Sequence, residues 1–166
     1  MSTFRLVGLS PAPFEPLFAF DDAQLRAQGV RRVRADSMPG YPCRICLEDA
    51  QPGDELLQLP FEHQPCASPY RASGPIYVRR GARQALLPGG ELPPYVTRRP
   101  ISLRAYDAAD MMVDAGLAEG DALRGEIERL LRDARVRYIH LHNAKRGCFS
   151  CKVQRIAPGR AVEPCD

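Results

Sequence analysis

The chain has 166 residues, of which 45% are hydrophobic, and a formal net charge of +3. This length predicts one domain that buries its own core and needs neither a metal ion nor disulfide bonds merely to stay folded. No run approaches the roughly 20 apolar residues that span a bilayer, and prolines interrupt the N-terminus where a signal peptide would be apolar. We therefore expect a cytoplasmic protein without a membrane partner.

The basic residues are strongly biased toward arginine. Only Lys145 and Lys152 are lysines, and the other 21 are arginine. With many Ala, Gly and Pro residues, this bias is typical of GC-rich coding sequence. A nucleic-acid-binding protein would carry a larger basic surplus on one face with interleaved aromatic residues. Nucleic acid is therefore an unlikely partner.

The first half of the chain predicts short strands and short helices. "FRLVGL" near the N-terminus has the composition of a strand, and the prolines of "PAPFEPLFAF" allow only a short helix after it. "DDAQLRAQG" has the acidic start and closing glycine of a two-turn helix. Three further runs predict strands: "VRRVRA", "LLQLPF" and "PIYVRR". Between them, residues 41–50 ("YPCRICLEDA") and 62–74 are expected to be loops.

The second half predicts two hairpins separated by a helix. Residues 81–100 are rich in Gly and Pro and are expected to form surface loop, and "ISLRAYDAADMMVDAGL" predicts the first hairpin. Residues 121–133 predict the main amphipathic helix, because apolar residues recur with helical spacing. "VRYIHLHN", the turn "AKRG" and "CFSCKVQRI" predict the second hairpin.

These elements predict a fold of the α+β class. Residues 1–157 are expected to form a single domain with an antiparallel or mixed sheet, one main amphipathic helix and short helices near the N-terminus. Residues 158–166 are expected to form a flexible tail.

Two cysteine pairs share one spacing, and they suggest a metal site. Each pair has two intervening residues, which lets both thiolates of one loop contact the same ion, and zinc prefers four tetrahedral sulfur or nitrogen ligands. The pairs therefore predict a structural zinc site. Its ligands would be Cys43, Cys46, Cys148 and Cys151.

Other interpretations of the cysteines stay open. The pairs lie about a hundred residues apart, whereas ribbon-type zinc sites bring together pairs about 15 to 20 residues apart. The cysteines could instead be small buried hydrophobic residues, or either pair could exchange between dithiol and disulfide. Cys66 and Cys165 are expected to be free thiols.

The polar residues suggest a ligand surface beside the second cysteine pair. His140 and His142 share one face of a strand, where they could bind a metal ion, transfer protons or contact an anion, or simply lie hydrogen-bonded or solvated at a sheet edge. Lys145 and Arg146 in the following turn could meet a phosphate or carboxylate. The residues expected to contact a small polar ligand or a protein partner are Tyr70, Arg71, Asn143 and Arg146.

Four phrases, "GYPCRICLEDA", "SPYRASGPIYV", "SLRAYDAADMMVDA" and "IHLHNAKRGCFSCKVQRI", occur in this order along the chain. Together they resemble a bacterial family, domain of unknown function 1203, over about residues 4–156. The resemblance implies a single-domain bacterial protein, and it implies no activity, substrate or catalytic residue.

From the residues we expect a zinc-binding domain with a ligand or partner surface around the His-x-His strand. The alternative is an enzyme, either a thiol redox catalyst or a metal-dependent catalyst that uses His140 or His142.

Overall fold

The computed structural model of the protein describes residues 4–156. Its secondary structure consists mainly of short strands, with a 3₁₀ helix at Glu15–Ala19 and three α-helices. The helices are α1 (Asp22–Ala27), α2 (Pro94–Thr97) and α3 (Ala122–Leu131). The strands are β1 (Phe4–Val7), β2 (Arg31–Arg34), β3 (Pro42–Cys43), β4 (Glu48–Asp49), β5 (Glu55–Gln64), β6 (Ala72–Arg79), β7 (Ile101–Tyr106), β8 (Met112–Ala118), β9 (Tyr138–Asn143) and β10 (Phe149–Arg155).

The first sheet is antiparallel and consists mainly of the C-terminal half of the chain. Its five strands lie in the order β1-β10-β9-β7-β8. The predicted hairpins β7–β8 and β9–β10 are both confirmed, and they pair with each other through β7 and β9. The N-terminal strand β1 crosses to this sheet and pairs with β10.

The second sheet is mixed and consists of the N-terminal half. Its order is β2-β5-β6-β3-β4. All its pairings are antiparallel except that of β3 with β6, which is parallel. The long β5–β6 hairpin contains a register shift between Phe61 and Gln64. Bulges of this kind bend a strand and redirect its side chains, and here the bulge includes His63.

Each sheet has its own hydrophobic core. The first sheet packs against α3, whose buried residues are Leu123, Ile127, Leu130 and Leu131. These four positions form the apolar stripe that the sequence predicts. Phe14, Phe18 and Leu25 of the N-terminal helical segments pack into the core of the second sheet. The helix at residues 121–133 thus exists, although it is shorter than predicted.

The predicted fold class is wrong. The structure is mostly β, with 37% strand and 16% helix, and its strands form two five-stranded sheets rather than one. The reason is that residues expected to be loop extend or add strands. β5 and β6 take up part of segment 62–74, and two short strands lie in segment 41–50, β3 containing Cys43 and β4 following Cys46. No helix in residues 4–156 is long and apolar enough to cross a membrane. The predicted tail at 158–166 lies outside the described residues.

Candidate functional site

One face of the first sheet carries polar and aromatic side chains. Side chains alternate between the faces of a strand, so Ile139 and Leu141 of β9 contribute to the core beneath α3. Tyr138 and His140 belong to the other face of the sheet. On the neighbouring strand β7, Tyr106 pairs with Tyr138 and Arg104 pairs with His140. This polar face contacts the second sheet through His63, which the bulge in β5 places there.

His63, His140, His142 and Phe149 together form what we call the histidine cluster. The ring of His63 stacks on Phe149 with a centroid distance of 5.3 Å and meets the edge of His142 at 5.0 Å. His140 lies 5.1 Å from Phe149 and 6.2 Å from His63, measured between ring centroids. The three imidazoles therefore converge from strands of two different sheets.

The histidine cluster contains buried nitrogen atoms without hydrogen-bond partners. His142 Nδ1 lies 2.9 Å from the carbonyl oxygen of Gly147. A carbonyl oxygen only accepts, so Nδ1 carries the proton and Nε2 presents a lone pair. Within the described chain that Nε2 has no partner, and neither does Nδ1 of His140 or of His63. These atoms could accept or donate hydrogen bonds to a small polar molecule.

Burial keeps the imidazoles of the histidine cluster neutral. His140 and His142 are 3% and 1% exposed. Desolvation lowers the pKa of His140 to about 3, and the neighbouring His142 and His63 lower it further. Desolvation also lowers the pKa of His142 to about 4, although the hydrogen bond to Gly147 acts to raise it. Desolvation and the charge of Arg104 also lower the pKa of His63. At neutral pH the rings are therefore hydrogen-bonding groups without charge.

Tyr138 links the two sheets beside the histidine cluster. Gln64 Nε2 donates to its hydroxyl oxygen at 2.7 Å, and the hydroxyl donates to Asp110 Oδ1 at 2.6 Å. Lys152 Nζ lies 4.4 Å from the centre of the Tyr138 ring, a cation–π contact. Desolvation and the bond to Asp110 raise the pKa of Tyr138. The Tyr138 hydroxyl therefore stays protonated, and its two hydrogen bonds connect the two sheets.

A cleft with a volume of about 560 Å³ lies beside Arg44 and the turn that follows β9. We call it the basic cleft, because among the residues that the structure describes five cationic side chains line it and no carboxylate does. Tyr41, Gln58, Tyr77, Asn143 and Cys148 supply much of its remaining polar lining. Its cationic residues are Arg44, Arg98, Arg99, Lys145 and Arg146.

Arg44 is the most unusual residue of the basic cleft, because it is charged and only 2% exposed. Its Nε donates to the Phe149 carbonyl at 2.8 Å and its Nη1 to the Pro42 carbonyl at 2.5 Å. Both acceptors are neutral, and among residues 4–156 no carboxylate forms an ion pair with Arg44. By contrast, Arg98 and Arg99 share the buried carboxylate of Asp49.

A family model described as "Protein of unknown function (DUF1203)" matches residues 40–155. The chain belongs to the DUF1203 family. The match covers every residue of the basic cleft except Ser37 and Pro39, and it covers the whole histidine cluster. No curated protein and no solved structure matches the chain significantly.

The structure distributes the four predicted zinc ligands of this DUF1203 protein over separate environments. Cys43 and Cys46 belong to the core of the second sheet, Cys151 belongs to the core of the first, and Cys148 lines the basic cleft. In the described part of the chain, no group of three or more His, Cys, Asp or Glu side chains could hold a metal ion. The four-cysteine zinc site is thus without structural support. Cys66 is a buried free thiol, and Cys165 lies outside the described residues.

The predicted ligand-binding residues of this DUF1203 protein fall into two groups. Asn143 and Arg146 line the basic cleft. Tyr70 lies on the side of the histidine cluster, with its ring 6.1 Å from Tyr106. Arg71 is exposed and bonded to Glu62. His140 and His142 do come together, as their shared strand face suggests.

Two important residues are not recognisable in the sequence. His63 lies in a segment expected to be irregular, and only the bulge in β5 directs it toward β9. Arg44 is one of many arginines, and its sole sequence signal is its position between Cys43 and Cys46, in a run of buried residues.

Proposed function

We propose that the protein binds a small anionic ligand, one carrying phosphate or carboxylate groups, in the basic cleft. The observation that carries this proposal is the buried guanidinium of Arg44, which has neutral acceptors but no counter-ion within residues 4–156. Burying a charge without a partner of opposite sign is costly, and proteins normally compensate it with an ion pair. A bound anion would supply the missing charge.

The other lining residues support the same ligand class. Lys145 and Arg146 are exposed at the mouth of the cleft and form no ion pair among the residues described. Guanidinium and ammonium groups form charge-assisted hydrogen bonds with phosphate and carboxylate oxygens. A volume of about 560 Å³ suits a metabolite-sized molecule. Tyr41, Tyr77 and Gln58 could contact its uncharged part.

The primary test is titration calorimetry with inorganic phosphate and with citrate at low ionic strength. The key variant is Lys145→Gln/Arg146→Gln, which removes two exposed charges at the cleft without disturbing buried structure. We expect it to bind several-fold more weakly, because each exposed charge contributes roughly 0.2–1 kcal/mol. The matched control is Arg83→Gln/Arg132→Gln, which removes the same charge from exposed sites outside the cleft.

The outcomes distinguish specific from general electrostatic binding. Weaker binding by the cleft variant alone supports the proposal. An equal loss of affinity in both double variants would overturn the proposal, because binding would then depend only on the net charge of the protein. The absence of binding of either anion at millimolar concentration would overturn it as well. Arg44→Met provides a further check, since a folded variant should lose the thermal stabilisation that phosphate gives the wild-type protein.

A further inference from the structure

The first cysteine pair lies in a tight turn that brings its two sulfur atoms together. Cys43 ends β3, and the Leu47 amide N–H donates to the Cys43 carbonyl at 3.1 Å, which closes the turn. Leu47 adopts a positive φ of 55° there. As a result the side chains of Cys43 and Cys46, both free thiols, lie close enough to interact.

Arg79 of the neighbouring strand β6 supplies hydrogen bonds to both sulfurs. Its backbone N–H donates to Cys43 Sγ at 3.3 Å, and its Nη2 donates to Cys46 Sγ at 3.6 Å. The contact with Cys46 is the main cause that lowers the pKa of Cys43 to about 6, and the same contact, with burial, raises the pKa of Cys46. The arrangement thus favours a thiolate at Cys43 and a protonated thiol at Cys46, both beside the Arg79 guanidinium.

Accessibility divides the roles within the pair. Cys43 is 0% exposed, whereas Cys46 is partly exposed. A dissolved reactant can therefore reach Cys46 first. Cys43 lies behind it as a stabilised thiolate, in the position of a second attacking group.

The second cysteine pair has the same spacing but a different environment. Cys151 is 1% exposed in the core of the first sheet, and burial raises its pKa to about 12. Cys148 precedes β10, and its Sγ donates a long hydrogen bond to the Arg146 carbonyl at 3.9 Å. Within residues 4–156 no arginine side chain donates to either sulfur of this pair, so it serves as an internal comparison.

We propose that Cys43 and Cys46 form a redox-active dithiol that exchanges with small-molecule disulfides. Cys46 first passes its proton to the Cys43 thiolate, and the Cys46 thiolate then attacks one sulfur of the disulfide, which forms a mixed disulfide and releases one thiolate. That released thiolate takes the proton from Cys43, and the Cys43 thiolate attacks Cys46 Sγ, which forms the Cys43–Cys46 bond and releases the second thiolate. The protein loses two electrons and the one proton of the pair, and the second released thiolate takes its proton from water. Excess thiol reverses both steps.

The test equilibrates the whole protein anaerobically with mixtures of reduced and oxidised glutathione, blocks free thiols by alkylation, and maps the products by mass spectrometry after trypsin digestion. Trypsin cleaves after Arg44, so Cys43 and Cys46 fall on separate peptides that only a disulfide can join. Cys148 and Cys151 remain on one peptide, because no Lys or Arg lies between them. We expect joined peptides for the first pair, on a monomeric chain, and full recovery of its thiols on reduction.

Three variants decide the assignment. Cys148→Ser/Cys151→Ser should oxidise like the wild type, whereas Cys46→Ser should form no intramolecular disulfide. Cys43→Ser, if it folds, should stop at the mixed disulfide on Cys46. Alkylation of both Cys43 and Cys46 at every glutathione ratio would overturn the proposal, as would equal oxidation of both pairs or links only between chains. These readouts do not depend on anion binding, so the two proposals can fail separately.

Discussion

Arg44 Nε lies 2.8 Å from the carbonyl oxygen of Phe149, and this hydrogen bond joins residues 105 positions apart in the chain. The bond connects the turn that carries the first cysteine pair with the start of β10. Phe149 also stacks on His63. Arg44, which lines the basic cleft, therefore anchors the backbone of Phe149, a residue of the histidine cluster.

Replacement of Arg44 by lysine tests this anchor. Lysine keeps the charge, but its single ammonium group cannot reach both carbonyls as the planar guanidinium does. Either the Phe149 or the Pro42 carbonyl should therefore lose its hydrogen-bond donor. We expect the free energy of unfolding to fall by about 1–3 kcal/mol, measured by urea denaturation. Arg83→Lys at an exposed site should change it by less than about 0.5 kcal/mol. Equal stability of both variants would contradict an anchoring role.

Stability should fall in mild acid because of the histidine cluster. His140 and His142 titrate at about 3 and about 4 in the folded protein, below the ordinary value of 6.5. The unfolded chain therefore binds more protons once the pH drops below about 6.5, which favours unfolding. We expect a loss of up to about 2 kcal/mol per histidine between pH 7 and pH 5, measured by urea denaturation across that range.

The histidine origin of this pH dependence can be checked by substitution. His142→Gln removes one titrating group and should flatten the pH profile by up to about 2 kcal/mol, whatever its effect at pH 7. The carboxylates with lowered pKa, such as Asp114 and Asp133, contribute mainly at lower pH. A wild-type stability that stays constant from pH 7 to pH 5 would contradict the burial of neutral imidazoles.

Tyr138→Phe should weaken the contact between the sheets. The change removes the hydroxyl that bonds to Gln64 and Asp110, and Gln64 is buried. The Gln64 amide would lose this acceptor, and the free energy of unfolding should fall by about 1–3 kcal/mol, measured by thermal or urea denaturation. Tyr41→Phe is the matched control, because its hydroxyl bonds to Asp36 at the surface. If Tyr41→Phe proved the more damaging change, the connecting role of Tyr138 would be refuted.

Gly8 should not tolerate even one added carbon atom. A Cβ built on Gly8 would lie 1.9 Å from the Ile45 carbonyl oxygen, which belongs to the cysteine turn. Because this oxygen belongs to the backbone, the turn that carries Cys43 and Cys46 would have to shift to make room for the added carbon. Gly8→Ala should therefore destabilise the protein by at least about 2 kcal/mol and slow disulfide formation at Cys43 and Cys46. Gly74→Ala, where nothing lies within 4 Å, should leave both measurements nearly unchanged.

Local patterns predicted the elements whose partners are close in sequence. The hairpins β7–β8 and β9–β10 follow from two apolar runs around a turn, and the stripe of α3 follows from its helical spacing. Segment 62–74 was misjudged because the register shift in the β5–β6 hairpin interrupts the alternation that marks a strand. Segment 41–50 was misjudged because β3 is only two residues long and pairs not only with β4 but also with β6, far along the chain.

The sequence by itself determined that His140 and His142 share a strand face and that Lys145 and Arg146 follow them in a turn, because alternation and turn chemistry are local. Only the tertiary structure decided that His63 joins the histidines and that Arg44 lines the basic cleft. It also decided that the two cysteine pairs occupy different environments. These relationships join residues far apart in the chain, and the pairing and packing of the sheets, rather than local periodicity, determine which distant side chains meet.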